Sequence, residues 1–148
     1  FSVKVLITTD LYTTNTNGVV TSVRNLMEEL EKKGHEVRVL TVSEKTQAGL
    51  YAQNIRLHAQ GVRFTAVHGD EQVEVSLPIP GKFTVYNALT VLGVALQLGI
   101  SLEESAEALK TAKGVKGRVE VVPTPGKDYT ILIDYAHTPD GLENVLSL

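Results

Sequence analysis

Apolar runs and helical patterns alternate along the first part of the chain and predict a βαβ unit. Residues 3–8 form a nearly continuous apolar run, which is typical of a parallel strand covered on both faces. Apolar residues then recur at helical spacing over residues 19–30, and Gly34 ends this helix. Residues 36–42 form a second strand. Because such connections are nearly always right-handed, this part opens a parallel sheet.

The pattern changes after residues 43–50, a polar stretch that we interpret as a loop and a seam between two parts. Residues 54–59, 62–68 and 72–77 alternate as antiparallel strands do, and residues 85–98 are apolar nearly all round, as in a buried helix. Further elements are predicted at residues 101–113 (helix), 119–122 (strand), 129–134 (buried strand) and from Thr138 onward (helix). We therefore predict one α/β domain over residues 1–148, three-layered and Rossmann-like or P-loop-like, with a mainly parallel sheet and an antiparallel segment.

Composition removes several classes of function. The net charge is −3 and no basic stripe is present, so we expect no nucleic-acid partner. There is no cysteine, and the spacing of the histidines fits no metal site, so no metal site is predicted. The longest apolar stretch is too short and too polar to span a bilayer, and no signal peptide is visible, so we expect a cytoplasmic protein without a membrane partner. The pattern stops abruptly at Leu148, and an apolar face left exposed there would favour self-association.

The loop before the first helix is the first candidate binding site. Asn17 and Gly18 lie where a parallel strand ends and a helix begins, which is the usual ligand edge of an α/β sheet. A helix N-terminus attracts anions, so a phosphate or sugar-phosphate could bind there. The alternative, which this stretch by itself favours, is that these residues only turn the chain and cap the helix.

Two further candidates follow in the last third of the chain. Asp134 and His137 stand just past a predicted buried strand, where a carboxylate can bind ribose hydroxyls and an imidazole can contact phosphate or a base. The alternative is that both side chains bond to loop backbone. Arg118 follows a glycine and could grip a phosphate with two donors, although a lone surface arginine is more often only solvated. We assign no catalytic residue.

The opening of the chain resembles one family. Residues 1–44 are similar to the N-terminal βαβ unit of GT-B glycosyltransferases of the retaining, sugar-nucleotide-using kind. The matching segments are Val5-Leu6-Ile7-Thr8-Thr9-Asp10-Leu11-Tyr12, Asn17-Gly18-Val19-Val20-Thr21-Ser22-Val23 and Gly34-His35-Glu36-Val37. The resemblance implies that the glycine loop helps to bind substrate, but most of that family's nucleotide-sugar site lies in another domain.

The rest of the chain resembles a second family. Residues 52–148 are similar to the central ATP-binding domain of Mur ligases, of the UDP-N-acetylmuramoyl-tripeptide synthetase type. The matching segments are Pro80-Gly81-Lys82-Phe83, Val85-Tyr86-Asn87-Ala88-Leu89, Gly114-Val115-Lys116-Gly117-Arg118 and Asp134-Tyr135-Ala136-His137-Thr138-Pro139-Asp140. The resemblance implies that Asn87 lies near the adenine, that Arg118 and Asp134 contact phosphate or ribose, and that His137 belongs to the same wall. Thr84 stands where the family usually has a further asparagine.

The phosphate loop departs from that second family. Mur ligases have Thr-Gly-Thr-Asn-Gly-Lys-Thr, and here Val19 replaces the lysine that meets the outer phosphates and Val20 the hydroxyl that holds magnesium. Phosphoryl transfer depends on such charge stabilisation, so we expect no ATP hydrolysis. We interpret the chain as a chimera, recombined or computationally generated, with no evolved activity and at most weak binding of ATP, ADP or phosphate. The alternatives are a fragment of an ATP-dependent Mur-type amide ligase and a sugar-nucleotide-binding glycosyltransferase-like domain.

Overall fold

Strands and helices alternate along residues 1–10, 18–44 and 48–146, the parts of the chain that the computed structural model describes. In chain order they are β1 (Lys4–Thr9), α1 (Gly18–Lys32), β2 (Glu36–Ser43), β3 (Leu50–His58), β4 (Gly61–His68), β5 (Glu71–Leu77), α2 (Lys82–Gln97), α3 (Leu102–Leu109), β6 (Glu120–Val122), β7 (Ile131–Ile133) and α4 (Pro139–Leu146).

The first five strands form one mixed sheet in the order β1-β2-β3-β4-β5. β1 pairs with β2 and β2 with β3 in parallel, whereas β3 pairs with β4 and β4 with β5 antiparallel. Among the described residues, β2 and β3 pair only where β2 ends and β3 begins, at Val42 with Leu50 and Ser43 with Tyr51. The predicted α/β class with an antiparallel segment is therefore confirmed.

Helices cover both faces of the parallel part of this sheet. Leu40 and Val42 of β2 belong to the core cluster that includes Leu89 and Leu92 of α2. Side chains alternate between the faces of a strand, so Val37 and Val39 face the opposite way, and α1 packs on β2 with Val20 fully buried. The three layers are thus α1, the sheet, and α2 with α3.

Close packing of α2 against β2 depends on Gly93. A Cβ atom at this position would lie 2.5 Å from Cδ2 of Leu40, which is too close for a carbon–carbon contact. Leu89 and Leu92 on the same helix are fully buried, as is Phe64 of β4. A helix forms here as predicted, but only one side of it is buried. Val91 and Val94 are 52% and 42% exposed, so the prediction of a helix buried nearly all round is wrong, because an apolar pattern does not show how many faces of a helix are covered.

The last two strands differ from expectation. β6 and β7 form a separate two-stranded antiparallel sheet, and Ile131 and Ile133 are 45% and 48% exposed. The prediction of a buried strand at residues 129–134 is therefore wrong, because a short apolar run does not by itself reveal whether both faces are covered. β3 also begins inside the predicted loop, at Leu50, and α3 ends earlier than predicted, at Leu109.

No helix among the described residues is both long enough and apolar enough to cross a lipid bilayer.

Ser101 caps α3 through a reciprocal pair of hydrogen bonds. Its hydroxyl accepts from the backbone N–H of Glu104 at 3.1 Å, and the Glu104 carboxylate accepts from the backbone N–H of Ser101 at 3.2 Å. These bonds satisfy donors that a helix start leaves unpaired, and losing such a cap costs about 1 kcal/mol. We expect Ser101→Ala to lower the free energy of unfolding by about that amount, as measured by urea denaturation at neutral pH.

The same cap predicts a pH dependence. Hydrogen bonds from the Ser101 hydroxyl and backbone lower the pKa of Glu104 below its ordinary value of 4.5. A lowered folded-state pKa means that the charged cap stabilises fully above the ordinary value and is lost as the pH falls through the lowered one. The gap between wild type and Ser101→Ala should therefore narrow in acid. Glu103→Gln, in the same helical turn, is the control. If that variant lowers the free energy of unfolding as much as Ser101→Ala and with the same pH dependence, the assignment of the cap to Ser101 and Glu104 is wrong.

Candidate functional site

A cleft of about 370 Å³ lies between the start of α2 and the segments on either side of the β6–β7 sheet. Phe83 contributes from α2, and Arg118 comes from the loop before β6. Asp134, Tyr135 and His137 follow the end of β7. Three of the residues that the sequence singled out therefore line one cleft: Arg118, Asp134 and His137.

Asp134 holds the backbone of this cleft. Its Oδ2 accepts from the N–H of Val119 at 2.7 Å, and its Oδ1 accepts from the N–H of Ala136 at 2.6 Å. Val119 is buried and has a φ of 45°, a left-handed conformation that is costly for a β-branched residue. The two charge-assisted bonds therefore tie the loop before β6 to the end of β7. In this structure both Asp134 oxygens bind loop backbone, as the alternative interpretation of this aspartate had it.

Tyr135 contacts both Arg118 and His137 at the rim of the cleft. The guanidinium carbon of Arg118 lies 5.2 Å from the centre of the Tyr135 ring, within range of a cation–π contact. The Tyr135 and His137 rings meet edge to face with centroids 5.1 Å apart. Nδ1 of His137 also lies 3.0 Å from the carbonyl oxygen of Tyr135. Tyr135 is not among the candidate residues that the sequence singles out, although its place inside the Asp134–His137 motif is a usable signal.

These three side chains suit a ligand with both a flat ring and a negative charge. Tyr135 is 67% exposed, so a large part of its surface is free to be covered. Arg118 forms no ion pair with any described residue, and its forked donors match phosphate oxygens. The cleft can therefore stack an aromatic group and bind an oxyanion beside it.

The remaining candidates do not line this cleft. Asn87 is exposed on α2, one helical turn beyond Phe83. Gly18 is the first residue of α1, it is exposed, and a Cβ there would meet no atom within 4 Å. Asn17 lies outside the described residues. The structure thus leaves their predicted roles untested.

Val19 and Val20, in the first turn of α1, differ in how far they are exposed to solvent. Val19 is 51% exposed, whereas Val20 is fully buried. A lysine at position 19 could reach solvent, but a hydroxyl at position 20 would point into the protein. The start of α1 therefore lacks a cation and cannot present a side-chain oxygen from position 20.

Charged groups also gather where β2 ends and α2 begins. Nζ of Lys82 lies 3.0 Å from Oε2 of Glu44, and this hydrogen bond raises the pKa of Lys82. Burial raises the pKa of the Tyr86 phenol, and the Glu44 carboxylate adds to the effect. Lys82 directly precedes Phe83, so this ion pair adjoins the cleft and fastens α2 to the carboxyl edge of the sheet.

Comparison with known proteins gives one consistent result. The family model for the Mur ligase middle domain matches residues 2–95, more than half of the chain. The chain is 42% identical over 116 residues to a UDP-N-acetylmuramoyl-L-alanyl-D-glutamate--2,6-diaminopimelate ligase of Alkaliphilus oremlandii, covering 78% of the chain and 24% of that protein. The corresponding ligase of Caldanaerobacter subterraneus is 47% identical over 109 residues, covering 74% of the chain and 22% of that protein.

Solved structures agree on the fold. A structure of a UDP-N-acetylmuramoyl-L-alanyl-D-glutamate--2,6-diaminopimelate ligase superposes with a TM-score of 0.71 at 26% identity, and the match covers 97% of this chain and 28% of that one. The chain therefore spans about a quarter of the length of the relatives it matches.

These matches correct the interpretation drawn from the sequence. The family match spans residues 2–95 and so includes both sides of residues 43–50, which the sequence analysis interprets as a seam between two ancestries. The interpretation as a chimera without evolved activity is therefore wrong, and the alternative of a Mur-type ligase fragment is the better one. The glycosyltransferase resemblance rests on a strand–helix–strand pattern that many parallel α/β sheets share. The chain belongs to the Mur ligase middle domain family.

Proposed function

We propose that this chain is the nucleotide-binding part of an ATP-dependent amide ligase that acts on a UDP-N-acetylmuramoyl-peptide precursor of peptidoglycan, in the cytoplasm. Family membership and the names of the relatives support the reaction class. The observation that carries the proposal is the stacking of Arg118, Tyr135 and His137 around one cleft. Because the chain spans only a quarter of its relatives, we assign to it the binding of ATP and not the whole ligation.

Each residue of the cleft has a separate task in this proposal. The exposed face of Tyr135 stacks with the adenine, and Arg118 places its donors on a phosphate. Asp134 acts as a positioning residue, because its oxygens fix the backbone of Val119 and Ala136. Phosphoryl transfer is mainly a matter of such positioning and of charge stabilisation.

A magnesium ion does not fit the start of α1. Val20 is buried and carries no oxygen. No group of three or more His, Asp or Glu side chains suited to a metal occurs among residues 1–10, 18–44 and 48–146. We therefore assign no metal ion to the start of α1. In this proposal Arg118 supplies the positive charge that binds the phosphate.

A thermal-shift titration of the purified chain with ATP, with and without magnesium, tests the proposal. Binding stabilises the folded state by RT ln(1 + L/Kd), where L is the free ATP concentration, so the melting temperature should rise as ATP is added. Arg118→Gln should weaken ATP binding about tenfold, because a hydrogen bond between charged groups contributes about 1.5–3 kcal/mol. Arg24→Gln, which removes an exposed arginine from α1, should leave binding unchanged.

A third variant probes the phosphate loop in the same titration. Val19→Lys adds the missing cation at an exposed position and should tighten ATP binding. If neither wild type nor Val19→Lys responds to ATP, or if Arg24→Gln weakens binding as much as Arg118→Gln, the assignment of this cleft is wrong.

A further inference from the structure

A second cavity, of about 580 Å³, lies at the far end of the β3–β4 hairpin. Its wall includes His58 and Gly61 at the turn, Arg63 of β4 and Lys110 just beyond α3. It shares no lining residue with the cleft around Tyr135. A cavity of this volume is within the range that small-molecule ligands occupy.

The charges of this cavity are one-sided. Arg63, Lys110 and His58 line it, and no aspartate or glutamate is among its lining residues. Lys110 is paired with Glu107 one helical turn earlier. Arg63 forms no ion pair or side-chain hydrogen bond with any residue that the structure describes. Glu74, on the neighbouring strand, is opposite Thr65 and not opposite Arg63.

A second arginine reinforces the imbalance. Arg56 of β3 is the direct antiparallel partner of Arg63 in β4. Side chains of such partners lie on one face with Cβ atoms about 5 Å apart, and like charges in this position destabilise a sheet. Within the described part of the chain, Arg56 also has no acidic partner. Arg56 does not itself line the cavity, but the register sets it directly opposite Arg63, which does, so two arginines without an acidic partner occupy neighbouring positions.

We propose that this cavity is a binding site for a small molecule carrying a multiply charged oxyanion, such as a diphosphate group. Two adjacent guanidinium groups present more donors than one carboxylate can accept, and a diphosphate supplies enough oxygens for both. The concave shape favours a small molecule over an acidic protein surface. This site is separate from the cleft around Tyr135 and independent of the function proposed for that cleft.

Calorimetric titration of the purified chain with sodium diphosphate at constant ionic strength tests the site. Arg63→Gln should weaken diphosphate binding about tenfold, because it removes charge-assisted hydrogen bonds. Arg24→Gln is the matched control and should bind as wild type does. Repeating the comparison in the Arg118→Gln background removes any contribution from the phosphate-binding arginine of the other cleft. Arg56→Gln provides an independent variant if Arg63→Gln does not fold.

Charge reversal gives an opposite signature. Arg63→Glu places a carboxylate opposite Arg56, so the unliganded protein should melt at a higher temperature than wild type, while the response to diphosphate disappears. The proposal is overturned if Arg63→Gln and wild type bind diphosphate equally. It is also overturned if sodium chloride at matched ionic strength stabilises the protein as much as diphosphate, since that effect would be general screening.

Discussion

Asp134→Ala is expected to lower the local stability of residues 117–146 by about 3 kcal/mol and to abolish ATP binding in the cleft. The substitution leaves the N–H groups of Val119 and Ala136 without their acceptor, and each such loss costs about 1–3 kcal/mol. It also frees Val119 from the left-handed conformation that the carboxylate supports. Hydrogen exchange should show faster exchange of both amides, and a titration should show no response to ATP.

Two further variants give this experiment its specificity. Asp134→Asn keeps one acceptor oxygen and should have an intermediate effect. Asp140→Ala removes an exposed carboxylate in the first turn of α4 and should cost less than about 1 kcal/mol. If Asp134→Ala behaves as Asp140→Ala does in both measurements, the carboxylate does not hold the cleft.

Gly61→Ala is expected to destabilise the whole domain by about 3 kcal/mol or more. A Cβ atom at this position would lie 2.2 Å from the carbonyl oxygen of Leu77 and 3.1 Å from Cα of Pro78. Both atoms belong to backbone, so β4 would have to move away from β5 where Val62 pairs with Leu77. Overpacking of this kind typically costs about 1–3 kcal/mol and more where backbone must shift. Urea denaturation should show a lower midpoint.

Gly18→Ala is the matched control for that variant. A Cβ atom at Gly18 meets nothing within 4 Å, and the residue is not among the glycines with positive φ. Alanine favours a helix over glycine, so the free energy of unfolding should stay the same or rise by about 0.5 kcal/mol. A loss in Gly18→Ala equal to that in Gly61→Ala would show that contact with Leu77 is not the cause.

Local patterns predicted most of the fold because they depend on neighbouring residues. The alternation of residues 62–68 predicts an antiparallel strand, which is observed. The apolar surface of α2 predicts a helix buried nearly all round, but only one side of that helix is covered. The exposure of Ile131 and Ile133 depends on which strand stands beside them, and the apolar run contains no information about that. Nor do local patterns of apolar and polar residues show that the family match includes residues 43–50.

The candidate site was predictable as far as motifs reach. Arg118, Asp134 and His137 were selected from short motifs and meet in one cleft. The stacking of Tyr135 between Arg118 and His137 is a matter of three-dimensional arrangement, so the sequence did not single it out. The opposed pair Arg56 and Arg63 was also hidden, because the register shifts between Gln53 and Arg56 and spacing cannot predict such a shift.

The short contact between β2 and β3 has a consequence for how the domain unfolds. In the part of the chain that the structure describes, two residue pairs join the parallel and antiparallel halves of the sheet: Val42 with Leu50 and Ser43 with Tyr51. α2 packs on strands of both halves, from β1 to β4. Cooperative unfolding of the two halves therefore depends mainly on the packed side chains of α2 and little on the hydrogen bonds between β2 and β3. A substitution that disrupts the packing of α2 should let the two halves unfold separately.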